Sequence, residues 1–333
     1  MSSGYDIAFL GTSRSGLGHV RRIANIAQEI ARRNAHVRMV LITNAEPAGL
    51  GRDDLAPFRR IVTCPTSDMA GCLATTQVSL AVVDTMALPG IGAFRGQTAL
   101  ILRETPRERL ERFRRDDGRL WDLVLVPNSE EHWMPDIPPD FARHTEPVGW
   151  IRRASGCRDE GEASAGVVLA TGGGGNDQTR AMLYPLLAEL VSNARARCRT
   201  RFQLRQALGP RAQGAAVPGV DQVFDPGPDL NRVFRAADVV ISTAGYNSVL
   251  ELAGTDTPAL LVAIPRSLDD QTARVALWGP RLGFGMMPGR VDEAARWLAD
   301  QIDAPRRRAP LDLGPDGAAR AAEFLMAMSC PVS

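Results

Sequence analysis

Lysine is missing from this 333-residue chain, and all 39 basic residues are arginine. That absence disfavours Schiff-base chemistry, lysine general bases and the lysine of a Walker-type phosphate loop. Cysteine is sparse: Cys64, Cys72, Cys157, Cys198 and Cys330 are widely spaced, form no C-x-x-C, and show no zinc-like pairing with the four histidines. Ordinary buried or half-buried thiols are therefore expected, with no metal site and no cofactor. No Asp-x-Asp occurs, so an acidic strand-end pair holding a metal-diphosphate is not evident. Net charge is nearly absent at +1, so no global field recruits nucleic acid, and any anion site must be local. No apolar run approaches the roughly 18 residues of a spanning helix. The first residues, Met1 to Asp6, lack a charged segment followed by a long apolar one. A cytoplasmic location is expected, with peripheral membrane contact left open.

What is present is enough apolar material, 44% of the chain, for two cores of ordinary size. The pattern alternates strand and helix twice over. Tyr5 to Leu10, Val37 to Thr43, Ile61 to Cys64, Leu80 to Asp84, Ala99 to Arg103 and Leu123 to Pro127 read as strands, with helices at Gly18 to Arg33 and Arg107 to Arg115. The pattern stops near Glu146 to Trp150, and 152 to 165 is polar and glycine-containing, as a linker would be. It restarts with strands at 166–170, 201–205, 222–224, 238–242 and 259–264, and helices from about 177, 229, 246, 270 and 291, then Ala318 to Met328. The expected fold is α/β, with two Rossmann-like domains facing across a cleft. The boundaries are 1–150, 151–315, and a terminal helix at 316–333 with the option of packing back on the first domain.

Several strand ends carry chemistry. Ser242 to Glu251 joins an apolar strand to a helix through Ala244 and Gly245, with Glu251 two turns in. Backbone N–H groups and the positive end of a helix suit phosphate there, and a carboxylate suits sugar hydroxyls. Leu169 to Asp177, with Gly172, Gly173, Gly174, Gly175 and Asn176, forms a second such turn. The first strand ends in a glycine-rich turn, Gly11 to Arg22, but G-x-G-x-x-G spacing fails and strand two closes in Thr43-Asn44 rather than an acid, against a hydride-transfer fold. His19, at the first turn of the helix, is a candidate base kept neutral by the helix N-terminus; capping the helix or satisfying core polar groups is its plainer role. Asp84 and Glu104 end strands on the same rim, and either could orient the imidazole, although a helix cap is the expected role for Glu104. Arg22 is a candidate anion contact or simply a solvated helix residue. Asp270-Gln271, after an apolar strand, could read adjacent sugar hydroxyls, with an N-cap and an exposed amide as the default. The apolar loop Met86 to Phe94 could line a pocket, touch a membrane or fill the core.

Together, Gly16-x-Gly18-His19-x-x-Arg22, Gly172 to Gly175, and Ala244-Gly245-x-x-Ser248-x-x-Glu251 with Pro258, Pro265 and Asp270-Gln271 resemble the GT-B nucleotide-sugar glycosyltransferases. The branch is the one containing the peptidoglycan N-acetylglucosaminyltransferase, family 28-like. The resemblance implies inverting, metal-independent transfer from a nucleotide diphosphate sugar, UDP-sugar favoured, to an acceptor hydroxyl that is small or lipid-linked. It implies a donor site of Gly172, Gly173, Gly174, Gly175, Asn176, Phe224, Ala244, Gly245, Asn247, Ser248, Glu251, Asp270 and Gln271, and an acceptor side with Gly16, Gly18, Arg22 and Glu104. His19 would be the base, with Asp84 beside it. The Gly-His-x-x-Arg turn with Asp84 also looks like the nucleotide-sugar hydrolase of pseudaminic acid synthesis, which makes hydrolysis the alternative. Two departures bear on donor identity: Arg274-Val275 stands where the family often has Asn-Ala, and Asn176-Asp177 where relatives often show Gly-Ser.

Overall fold

Strands of three to seven residues, most of them apolar, build two wholly parallel sheets. The computed structural model describes residues 5–13, 17–46, 50–129, 132, 135–153, 166–170, 177–208, 216–227, 229–264 and 270–329. The chain divides into Met1–Arg153 with Leu313–Ser333, and Ala154–Asp312.

The first unit contains β1 (Tyr5–Gly11), α1 (Gly18–Arg33), β2 (Met39–Thr43), α2 (Arg52–Leu55), β3 (Phe58–Thr63), α3 (Met69–Thr75), β4 (Val78–Asp84), β5 (Gln97–Ile101), β6 (Leu123–Val126) and β7 (Thr145–Pro147). Its strand order is β3-β2-β1-β4-β5-β6-β7. Side chains alternate across the sheet: Ile7 and Phe9 enter one core with α1, while Ala8 and Leu10 enter the other with Leu73, Trp121 and Phe141. Apolar residues of α1 recur at helical spacing, burying Val20, Ile23, Ala24, Ile26, Ala27 and Ile30. Gly11 permits their close approach, because a Cβ there would lie 2.5 Å from Ile23 Cδ1. That contact fixes the start of α1, and hence His19, over the end of β1.

The second unit contains β8 (Val167–Ala170), α4 (Asp177–Arg197), β9 (Leu204–Ala207), β10 (Gln222–Phe224), α5 (Leu230–Ala236), β11 (Val239–Thr243), α6 (Tyr246–Ala253), β12 (Ala259–Val262), α7 (Gln271–Leu282), β13 (Gly283–Met286) and α8 (Val291–Asp303). Its order is β10-β9-β8-β11-β12-β13. The final helix, α9 (Gly317–Ser329), belongs to the first unit, where Ala318, Ala321, Ala322 and Leu325 enter the α1 core.

In each sheet the order reverses once, between β1 and β4 and between β8 and β11. Ligands of open α/β sheets bind outside the carboxyl ends of strands at such switch points. The turn carrying His19 and the strand ending in Asp84 are thus neighbours by topology. So are β8 and β11, the strands that precede the two small-residue turns of the second unit.

The structure departs from the sequence expectations at several elements. The helix expected at Arg107 to Arg115 is a 3₁₀ helix and ends earlier, at Arg107–Phe113, anchored by buried Leu110 and Phe113. Thr145–Pro147 is an edge strand where the pattern was expected to stop; three half-buried residues give too short a run to read. The strand expected at 201–205 lies at Leu204–Ala207, since polar Gln206 is buried and accepts from Val217 N at 2.8 Å. The unexpected β13 has two glycines: Gly283, with φ of 144°, would bring a Cβ within 2.6 Å of Trp297 on α8, and Gly285 is crowded by α7. A Cβ on Gly279 would lie 2.4 Å from Gly285 Cα, and one on Gly285 2.8 Å from Val275 O. The loop from Met86 to Phe94 packs inward, with Met86, Leu88, Ile91 and Phe94 buried. Most of the expected linker, 154–165, lies outside the described residues, as do Cys157 and Cys330. Cys64, Cys72 and Cys198 are free and half-buried, and burial, with Cys72 alongside, pushes the Cys64 thiol up to about 12. Among the described residues no helix is long and apolar enough to cross a membrane.

Candidate active site

At the β1/β4 switch point three side chains converge. Asp84, the last residue of β4, is fully buried, and Arg22, one turn along α1 from His19, is 2% exposed. Arg22 donates from Nε to Asp84 Oδ2 at 2.9 Å and from Nη2 to Oδ1 at 2.6 Å. His19 Nδ1 lies 3.3 Å from the same Oδ1 and 3.4 Å from Arg22 Nη2. The imidazole is therefore turned to the carboxylate and does not cap its helix, whose N-cap is Leu17 without a side-chain bond. Arg22 is not a solvated helix residue: it is the buried counter-ion of Asp84, which corrects its plainer sequence-based role.

Burial would push the Asp84 carboxyl up; the charge of Arg22 and the imidazole beside it outweigh this and hold it well below the usual carboxylate range. For His19, burial lowers the pKa from 6.5, Asp84 raises it, and the charges of Arg22 and Arg103 lower it further, with a net depression. The ring keeps 26% of its surface open, so solvent moderates the burial effect and can exchange protons with it. The outcome is a neutral imidazole near pH 7, as a general base requires.

Glu104 does not join this group and does not cap the following 3₁₀ helix, whose N-cap is Pro106. It accepts from Asn128 Nδ2 at 3.0 Å and stands 3.6 Å from His132 Nε2, and His132 stacks at a tilt on Trp150 with centroids 5.0 Å apart. Thr85, directly after Asp84, has φ of 41°, a left-handed conformation that is strained for a β-branched residue. Its hydroxyl donates to Ile101 O at 2.8 Å and accepts from Arg103 N at 3.2 Å, tying the ends of β4 and β5 together. Nothing in the sequence marks that position, and Asn128 and His132 likewise carry no local signal. Gly18 is the first residue of α1. Gly16 lies outside the described residues.

At the β8/β11 switch point, Ala244 is buried and its N–H donates to Val262 O. Gly245 is the N-cap of α6, with φ of −66° and no side-chain cap bond. A Cβ on Gly245 would meet, among the described residues, only Ser248 Oγ at 3.7 Å. Neither backbone conformation nor crowding by the described residues requires glycine there, and glycine is a common N-cap residue. Asn247 and Ser248 are half-buried on the first turn, and Glu251 is buried on the second. Asp270 caps α7, accepting from Ala273 N at 2.9 Å. Gln271 is buried rather than exposed, and its Oε1 accepts from Ile264 N at 3.1 Å. Arg274, the departure from the family pattern, is 4% exposed and donates to Ala244 O at 2.8 Å. It brings a guanidinium up to the Ala244-Gly245 turn, a contact that no local sequence signal announces. Phe224 ends the edge strand β10, with the Arg205 guanidinium 4.7 Å over its ring. Gly172, Gly173, Gly174, Gly175 and Asn176 lie outside the described residues. Among the described residues no three His, Cys, Asp or Glu side chains converge as a metal site.

Residues 184–277 match the glycosyltransferase family 28 C-terminal domain. The UDP-N-acetylglucosamine–N-acetylmuramyl-(pentapeptide) pyrophosphoryl-undecaprenol N-acetylglucosamine transferase of Rhodospirillum rubrum is 30% identical over 175 residues, covering 48% of this chain and 45% of the relative. The same enzyme of Xylella fastidiosa is 25% identical over 162 residues, covering 46% and 44%. The chain thus spans less than half the length of these relatives. Among solved structures, the kitacinnamycin glycotransferase superposes with a TM-score of 0.59 at 15% identity, covering 98% of this chain and all of that one. The spinosyn rhamnosyltransferase SpnG gives 0.56 at 15%, covering 97% and 96%. A UDP-N-acetylglucosamine 2-epimerase described as putative, from Listeria monocytogenes, gives 0.58 at 11%, covering 98% and 96%. The fold is that of the GT-B enzymes, and the chain resembles the family 28 glycosyltransferases.

Proposed function

We propose that this protein is an inverting, metal-independent glycosyltransferase that moves a hexosyl or N-acetylhexosaminyl group from a nucleotide diphosphate sugar, UDP-sugar favoured, to an acceptor hydroxyl. The observation that carries the catalytic part is the buried Asp84 carboxylate 3.3 Å from Nδ1 of a neutral His19 at the switch point of the first sheet. His19 takes the acceptor proton, the acceptor oxygen forms a bond to the anomeric carbon, and the bond from that carbon to the phosphate oxygen breaks with its electron pair leaving on the nucleoside diphosphate. That departing charge meets the N-terminus of α6 at Gly245, whose backbone donors need not reorganise during the reaction; Gly172 to Gly175, the second donor turn expected from the sequence, lie outside the described residues. Glu251 accepts the ribose hydroxyls and Gln271 lies against the donor sugar. The family 28 match over 184–277 supports a sugar nucleotide in the second unit. The acceptor side takes Gly16, Gly18 and the rim with Glu104, for a small or lipid-linked alcohol in the cytoplasm.

The test is product analysis by mass spectrometry, with purified protein, a panel of nucleotide sugars and candidate alcohols, with and without EDTA. Transfer of inverted sugar to an alcohol, insensitive to EDTA and lowered roughly 10²–10⁴-fold by His19→Ala, is expected. Free sugar released at about 1 s⁻¹ or faster, with no acceptor capturing it, would replace this function with nucleotide-sugar hydrolysis.

A further inference from the structure

Proton transfer to His19 beside Asp84 leaves the buried Arg22 without a role. We propose that Arg22 is a positioning residue for His19: its guanidinium grips the Asp84 carboxylate so that Oδ1 faces the imidazole Nδ1, and Nε2 is left unprotonated toward the acceptor. Only the last clause rests on the function proposed for the site.

The geometry is a fork. Nε meets Oδ2 at 2.9 Å and Nη2 meets Oδ1 at 2.6 Å, the two-point grip a planar guanidinium makes on a carboxylate. A carboxylate on a strand end can rotate, and the fork removes that freedom, presenting one oxygen to α1. At Nδ1 two neighbours compete: Asp84 Oδ1 at 3.3 Å, which can only accept, and Arg22 Nη2 at 3.4 Å, which can only donate. A bare Nδ1 would set its lone pair against an anionic oxygen. A protonated Nδ1 donates to that oxygen instead, and Arg22 already directs its short Nη2 contact at Oδ1. The arrangement thus selects the tautomer with hydrogen on Nδ1.

Charge points the same way. The groups facing His19 are Arg22 from α1, Asp84 from β4 and Arg103 just after β5. Arg22 and Asp84 cancel, so protonating the imidazole would place net positive charge in a buried group. Without Arg22, Asp84 would stand uncompensated and would favour the imidazolium, the form that cannot act as a base. A purely structural ion pair would contribute stability without selecting the tautomer of His19, whereas the titration midpoint responds to loss of the Arg22 charge in either case.

The experiment is long-range ¹H–¹⁵N correlation of the ¹⁵N-labelled full chain across pH. Only four histidines are present, and the His19 signal is the one lost in His19→Gln. In wild type we expect a protonated Nδ1 and a bare Nε2 at neutral pH. In Arg22→Gln we expect the His19 midpoint to rise by about one unit or more, with the acid limb of the rate profile moving the same way. A wild-type Nε2–H tautomer, or an unshifted midpoint in an Arg22→Gln protein with native circular dichroism, overturns the proposal. Should Arg22→Gln fail to fold, the wild-type tautomer still decides. These signals need no substrate, so a correct tautomer with no sugar transfer would sink the glycosyltransferase function alone. Transfer with an Nε2–H tautomer would sink the role of Arg22 alone.

Discussion

Asp84 holds two partners with one carboxylate, and its burial makes both contacts consequential. Replacing it by asparagine would leave the Arg22 charge buried against a neutral amide. Breaking a buried pair from one side costs about 3–5 kcal/mol, so Asp84→Asn should lose stability of that order in urea unfolding at pH 7; a loss under about 1 kcal/mol would show the pair to be solvent-screened. The pH dependence follows from linkage. The carboxyl is held below its ordinary 3.8, so its contribution is complete above about pH 4 and is lost as pH falls through the folded value. The gap between wild type and Asp84→Asn should therefore narrow in acid. His19, lowered from 6.5, acts at a different window: the unfolded chain takes its proton first, so stability declines as pH drops below 6.5. Of these residues, His19 and Asp84 were legible because each ends or begins an apolar segment. Arg22 was not, since an arginine three residues beyond a histidine reads as solvated until the strand that supplies its counter-ion is placed beside it.

Among the elements, those with strong periodicity were readable and those shaped by neighbours were not. α1 announced itself through apolar residues at helical spacing, and β4 through an unbroken apolar run. β13 is the contrary case, because Gly283-Phe284-Gly285-Met286 reads as a turn in isolation. Its Gly285 answers to α7, whose Gly279 lies so close that a Cβ would stand 2.4 Å from Gly285 Cα. Gly279→Ala separates the two views. In an uncrowded helix the change would stabilise by about 0.5–1 kcal/mol, whereas forcing a methyl against the backbone of β13 should destabilise by about 1–3 kcal/mol. Equilibrium unfolding gives the sign, and any gain in stability would remove the crowding account. The same helix explains why the Asp270-Gln271 pair was only half legible. Asp270 caps α7 as its type predicts, while Gln271 is drawn inward by Ile264 N, a partner that comes from the end of the preceding strand.

Across the whole molecule, the two sheets repeat one solution: strand order reverses once, and the residues with chemical interest gather at that reversal. The alternation of strands and helices made this architecture readable from composition and period alone, since short apolar runs joined by helices admit few arrangements other than covered parallel sheets. What alternation could not show is the division of labour, which the positions of the side chains argue. An imidazole beside a buried carboxylate lies in the first unit, and a helix with a glycine N-cap followed by a buried glutamate lies in the second. If that division holds, nucleotide affinity and turnover are separable in the intact chain. Glu251→Ala should weaken UDP binding by about 10- to 100-fold in calorimetry, the 1–3 kcal/mol of a hydrogen bond to a charged group. His19→Ala should leave that affinity within about twofold while removing most of the turnover. Equal UDP affinity in wild type and Glu251→Ala would take Glu251 out of the nucleotide site. A large loss of UDP binding in His19→Ala would mean that the base contacts the nucleotide itself, and the assignment of donor and acceptor to separate units would have to be abandoned.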